Sequence, residues 1–116
     1  MTQITLESVK IMIADKPVDF RKEIDGLCQI IEGQLKDNPA EGVYVFYNKS
    51  KNKLKILGWH GSGFILLYKR LETGKFKITY QGETIKIDNK QLNWLLMGLD
   101  WELLSNWEGK KFSAFF

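Results

Sequence analysis

The chain has 116 residues, 44% hydrophobic and 13% aromatic, enough to bury one core as a single domain over 1–116 and too apolar for intrinsic disorder. Its apolar runs, such as Phe64 to Tyr68, are too short to span a bilayer, no basic-then-apolar leader opens it, and a lone cysteine, Cys28, excludes an internal disulfide. The formal net charge of +3 is uneven: residues 1–48 hold five Lys/Arg against eight Asp/Glu, residues 49–77 eight against one, and residues 78–116 four against five.

A middle third at +7 favours anionic partners, nucleic acid first. The alternative is a solvated sheet face whose lysines keep an edge from aggregating. Cys28 reads as a small buried hydrophobe, and the expected location is cytoplasmic, with no membrane partner.

In chain order, Thr5 to Ala14 alternates Val9, Ile11 and Ile13 with Lys10 and Met12, which predicts a first strand ended by Asp15-Lys16-Pro17. Asp19 then reads as the N-cap of a helix running to about Lys36, because Phe20, Ile24, Leu27, Cys28, Ile31 and Leu35 share one helical face. Gly26 and Gly33 weaken that helix, so close packing against neighbouring backbone is expected there. Arg21 and Lys22 fall in its first turn, where the helix dipole prefers carboxylates. Free amides and two cations would make an anion site; in the competing reading Asp19, Glu23 and Asp25 neutralise the pair.

Asn38-Pro39 stops the helix, and Gly42 leads into Val43 to Tyr47, an apolar and aromatic run expected to be a central strand. Asn48 to Asn52 turns the chain. Lys49, Lys51, Lys53 and Lys55 are two apart, so in extended chain their ammonium groups point the same way, either tracking phosphates or acting as a solubility device.

The stretch Lys53 to Phe76 organises the rest. Leu54, Ile56 and Leu57 lead to Gly58-Trp59-His60-Gly61-Ser62-Gly63, then Phe64 to Leu71 runs to Glu72-Thr73-Gly74. This is the pattern of a β-hairpin with one face in the core and the other basic. Phe76, Ile78 and Tyr80, then Thr84 to Ile87, predict a further hairpin around Gln81-Gly82. Asp88 or Asn89 caps a short helix from Lys90 to about Leu99, with Leu92, Leu95, Leu96 and Leu99 as its core stripe and Trp94 and Met97 off it. That surplus of apolar surface needs a neighbour. The tail, Trp107 to Phe116, with Phe112, Phe115 and Phe116 beside Lys110 and Lys111, is itself too apolar for a free end, so docking or association is expected.

Enzymatic chemistry finds little support. His60 is the only histidine, no cysteine or histidine has zinc-site spacing, and there is no P-loop or nucleophile elbow. The glycines of residues 58–63 join strand to strand, unlike a phosphate cradle that opens a helix. His60 and Ser62 are too close in sequence for a base and nucleophile, and the carboxylates are too scattered for a metal-dependent nuclease. Trp59 and His60, by contrast, sit at a turn tip from which they can stack on bases, or stay a core residue and a polar turn residue.

Three blocks together resemble the TnpB-type accessory protein of bacterial insertion sequences of the sixty-six class, a family distinct from the RNA-guided nuclease of the same name. They are Asp19-Phe20-Arg21-Lys22-Glu23-Ile24-Asp25-Gly26-Leu27; Lys53 through Phe64, continuing from Tyr68 to Phe76; and Leu92 to Trp101, ending Leu95-Leu96-Met97-Gly98-Leu99-Asp100-Trp101. Together they cover most of residues 9 to 101, in order. Two positions depart from the family pattern: His60 stands where an acidic residue or asparagine is usual, and Lys77-Ile78-Thr79 where a Trp-Pro pair follows the position of Phe76. The resemblance implies an accessory factor for transposition, encoded beside a separate transposase and with no established catalytic activity of its own; the residues themselves give no reason to expect a cofactor or metal.

The resulting expectation is an α+β fold: an antiparallel or mixed sheet of about five to six strands, one long helix on a face and one short C-terminal helix. Residues 1–104 form the globular core and 105–116 an aromatic and basic tail. DNA, including the element's ends, is expected at Arg21, Lys22, Lys53, Lys55, Trp59, His60, Lys69 and Arg70. The rival is a module docking on the transposase through Trp94, Met97, Trp107 and Phe112 without touching DNA. Both readings leave the oligomeric state open.

Overall fold

The computed structural model describes residues 10–79 and 82–107. Its frame is a five-stranded sheet in the order β4-β3-β2-β1-β5, built from β1 (Ile11–Ile13), β2 (Val43–Tyr47), β3 (Lys53–His60), β4 (Gly63–Arg70) and β5 (Ile85–Ile87). β1 and β2 run parallel, and the other neighbours are antiparallel. A parallel pair needs a crossover, which is supplied by α1 (Ile24–Gly33) and a 3-10 turn at Pro39–Glu41. After β5 come α2 (Asn89–Leu96) and a helical segment at residues 101–107. The α+β class and the mixed sheet match expectation.

The β3–β4 hairpin forms where the alternation placed it. Lys53↔Arg70 through His60↔Gly63 pair without a bulge, and Gly61-Ser62 closes the loop. Gly61 has φ 62°, the positive φ that a type II′ turn requires at its first central residue. The α2 start is equally local. The Asp88 carboxylate accepts from Gln91 N at 2.8 Å while the Gln91 side chain accepts from Asp88 N at 2.9 Å, a reciprocal capping box.

Three expectations are overturned. The helix predicted from Asp19 begins only at Ile24 and ends at Gly33. Asp19 caps a turn instead, accepting from Arg21 N at 2.9 Å. The carbonyls of Phe20 and Lys22, which a longer helix would use for its first bonds, point at the ammonium of Lys55. Gly26 admits the Lys22 side chain, whose Cβ would lie 3.1 Å from an added Cβ, and Gly33 touches nothing; neither meets neighbouring backbone. The hairpin predicted between residues 76–80 and 84–87, whose Tyr80 and Gln81 lie outside the described residues, is not seen among the described ones. β5 pairs with β1, while residues 75–79 form no strand and are held by Phe76 N donating to Lys51 O at 2.7 Å.

The third correction concerns the sheet's faces. Paired residues share a face, so Met12, Tyr44, Phe46, Lys55, Leu57, Leu66 and Tyr68 lie on one side. The α1 crossover covers that side: Tyr44 Oη donates to Asn38 O at 2.9 Å, and Lys55 reaches the 20–23 turn. On the other side Ile13, Val45 and Leu54 are also fully buried. The remaining buried side chains available to seal them, Phe76, Ile78, Leu95 and Trp101, come from the C-terminal half. The sheet is therefore sandwiched between two layers, and no basic face runs the length of the hairpin.

Candidate nucleic-acid interface

The turn at 48–52 gathers the positive charge. Asn48 Oδ1 accepts from the backbone of Asn52 at 3.1 Å and Lys53 at 3.0 Å, its Nδ2 donates to Asn52 Oδ1 at 2.7 Å, and Lys51 takes a left-handed φ of 59°. This tight knot begins β3 beside the end of β4. Lys53 stands directly opposite Arg70, and Lys69 opposite Leu54, on the other side of the sheet.

Two backbone bonds bring the next segment to the same place: Leu71 N to Asn52 O at 2.8 Å and Phe76 N to Lys51 O at 2.7 Å. Lys75 and Lys77 flank the buried Phe76 and are exposed. The open end of the hairpin thus collects Lys49, Lys53, Lys69, Arg70, Lys75 and Lys77. Arg70 also pairs with Glu72 at 2.9 Å, the only acid within residues 49–77. Such an exposed pair is weak and leaves the guanidinium available to a phosphate.

Lys55 does not belong to this surface. It is 3% exposed, and its ammonium donates to Phe20 O at 2.8 Å, Lys22 O at 2.7 Å and Glu23 Oε1 at 3.3 Å, lying 5.1 Å from the Phe20 ring centroid. A buried charge persists only when paired and hydrogen-bonded, and this one is. Lys51 likewise donates to Ile78 O at 2.6 Å. The expected row of four parallel ammonium groups is therefore broken at two positions.

The turn above Lys55 carries Arg21 and Lys22. Arg21 is 91% exposed and binds Asp19 with its Nε and Nη2, and this hydrogen bonding holds the Asp19 carboxyl down at about 2. The polarity is the reverse of an anion site: carbonyls converge inward on a cation. Arg21 and Lys22 remain exposed on the same side of the sheet as Lys53 and Arg70.

Trp59 and His60 lie apart. They end β3 at the hairpin tip, and seven residues at roughly 3.3 Å each put His60 about 23 Å from Lys53. Trp59 packs edge-on against Phe64 at 5.0 Å and is 38% exposed.

The expected partner-docking residues also separate. Trp94 is half-buried, packing against the core with the Lys90 ammonium 5.9 Å from its ring centroid. Met97, Leu103 and Trp107 are exposed, and Leu103 and Trp107 stand one helical turn apart. Sequence reasoning missed Leu103, although its spacing from Trp107 was readable. Phe112 lies outside the described residues. Among the described residues no cluster of His, Cys, Asp and Glu could hold a metal ion, and no helix is long and apolar enough to cross a membrane.

No solved structure matches the chain. Two curated proteins of Sinorhizobium fredii are similar: uncharacterized protein y4jC, 36% identical over 95 residues (80% of this chain, 81% of that protein), and uncharacterized protein y4hO, 35% identical over 97 residues (82% and 84%). The family described as IS66 Orf2 like protein matches residues 9–106, from just before β1 to the last helical segment. The chain therefore belongs to the IS66 Orf2 like family, a family of transposition-associated accessory proteins.

Proposed function

We propose that this protein is a non-enzymatic accessory factor of transposition that holds DNA phosphates on the basic open end of its β3–β4 hairpin. The observation that carries the reading is the convergence of Lys49, Lys53, Lys69, Arg70, Lys75 and Lys77 on one end, against the single acid Glu72. Arg21 and Lys22 extend the surface along one side of the sheet. Phosphate contacts of this kind release counterions, so affinity falls with salt, and each cation that touches phosphate adds about one to the slope.

The test is titration of the protein with a duplex carrying the element's terminal repeats and with an unrelated duplex, at several salt concentrations. Replacing Lys53, Lys69 and Arg70 together by alanine is expected to weaken binding to both duplexes and to lower the salt slope by about two to three. Lys86→Ala, on β5 and away from the cluster, should leave both unchanged. An unaltered slope in the triple variant would remove this surface from the reading.

A second reading rests on the exposed Met97, Leu103 and Trp107: the helical C-terminal region docks on the transposase of the same element. Apolar side chains at 66%, 63% and 58% exposure are anchors of the kind found at interface centres. Met97→Glu with Leu103→Glu is expected to abolish co-purification with the transposase while leaving DNA titrations unchanged. Retained co-purification counts against it.

A further inference from the structure

The outer edge of β4 is long and lacks the usual protection against pairing. β4 is eight residues long, and among the described residues no strand lies beyond it. Proteins usually protect such an edge with a proline, a bulge or a charge in its middle. β4 has no proline and pairs with β3 without a bulge, and its cations, Lys69 and Arg70, stand only at its end. The run Gly63-Phe64-Ile65-Leu66-Leu67-Tyr68 is uncharged, with Leu67 and Tyr68 47% and 53% exposed.

The direction of the free backbone groups is fixed by the ladder. Leu71 N donates to Asn52 O, so residues 71, 69, 67, 65 and 63 turn their polar groups toward β3. Phe64, Leu66, Tyr68 and Arg70 turn theirs outward. We propose that this edge pairs antiparallel with the same edge of a second copy, about a two-fold axis through Leu66, so that two five-stranded sheets become one.

In that register Leu66 meets the partner's Leu66, Phe64 the partner's Tyr68 and Ile65 the partner's Leu67, all on matching faces. Aromatic and aliphatic cross-strand pairs of this kind stabilise sheets. Lys69 falls opposite the partner's Gly63 and Arg70 opposite the partner's Ser62, so no cation faces another. Shifting the axis to Leu67 instead sets Lys69 against the partner's Ile65.

Pairing also joins what a single copy keeps apart. The hairpin tip of one copy lies beside the cationic end of the other, which brings the partner's Trp59 and His60 alongside Lys69 and Arg70. The pairing itself does not depend on DNA binding, and its test contains no nucleic acid.

The experiment is amide exchange followed residue by residue on the full chain, with mass measured by light scattering, at about 10 µM and about 500 µM. At the higher concentration the mass is expected to reach twice the 13.5 kDa of the chain. The amides of Phe64, Leu66 and Tyr68 should slow by at least about tenfold, while those of Ile65, Leu67 and Lys69 are protected at both concentrations. Leu67→Lys, at a half-exposed site compatible with folding, should return the mass to that of one chain and cancel the extra protection. A chain that stays monomeric at the higher concentration overturns the proposal. So does a dimer that survives Leu67→Lys but is lost in Leu103→Glu, or protection of Phe64, Leu66 and Tyr68 that persists in a monomeric sample.

Discussion

Lys55→Ala is expected to lower the free energy of unfolding by about 3 kcal/mol in a urea titration, with a drop in Tm of roughly 10 °C or more. The ammonium fastens β3 to the 20–23 turn through two backbone carbonyls and Glu23. Without it the carbonyls of Phe20 and Lys22 lose their partner, and an orphaned polar group costs about 1–3 kcal/mol. The aliphatic stem adds its own packing loss, but removing the ammonium also ends the cost of burying it. The first effects win because the carbonyls stay behind while the charge departs. Lys55→Met separates them: it keeps most of the stem and should recover about 1 kcal/mol of the loss. Were Lys55 a phosphate contact, the alanine variant would keep full stability and bind DNA with a lower salt slope. That outcome would overturn its structural role.

Lys55 also marks where the sequence stops being legible. Alternation of lysine with Leu54, Ile56 and Leu57 reads as one wet face, because a period of two reports the pleat and not what lies above it. The residues that enclose Lys55 stand 32 to 35 positions earlier, and no local pattern announces them. The features that were legible depend on neighbours in the chain. The β3–β4 hairpin follows from its glycine loop, α2 from a cap at Asp88 ahead of its leucine stripe, and β2 from five consecutive apolar residues that are all buried. Non-local pairing was the weak point. Phe76 and Ile78 alternate like a strand, yet they fill the second layer over the sheet, and β5 crosses to β1 instead.

The same distinction applies to the candidate interface. Its charge was visible as eight cations within residues 49–77, but charge counting cannot tell an exposed ammonium from a buried one. Two of the eight, Lys51 and Lys55, are engaged by backbone carbonyls. Trp59 and His60 seemed to stand beside the lysines only because the intervening strand is short in sequence; extended chain carries them to the opposite end of the hairpin.

Trp101→Ala is expected to cost about 4 kcal/mol of stability, a large part of the 5–15 kcal/mol typical of a domain. Trp101 is 5% exposed, and its Nε1 donates to Lys77 O at 2.9 Å. It therefore clamps the segment Phe76–Ile78, which the 48–52 turn grips from its other side through Lys51. Trp101→Phe retains much of the ring volume and loses the hydrogen bond, so its cost should be nearer 1–2 kcal/mol. The functional consequence differs from the thermodynamic one. Lys75 and Lys77 reach the hairpin's open end only because this segment is held there, so the phenylalanine variant, still folded, should show a smaller salt slope for DNA than the unmodified chain. A lower stability with an unchanged slope would mean that the bonds from the 48–52 turn hold Lys75 and Lys77 in place without Trp101, and that the indole serves stability alone.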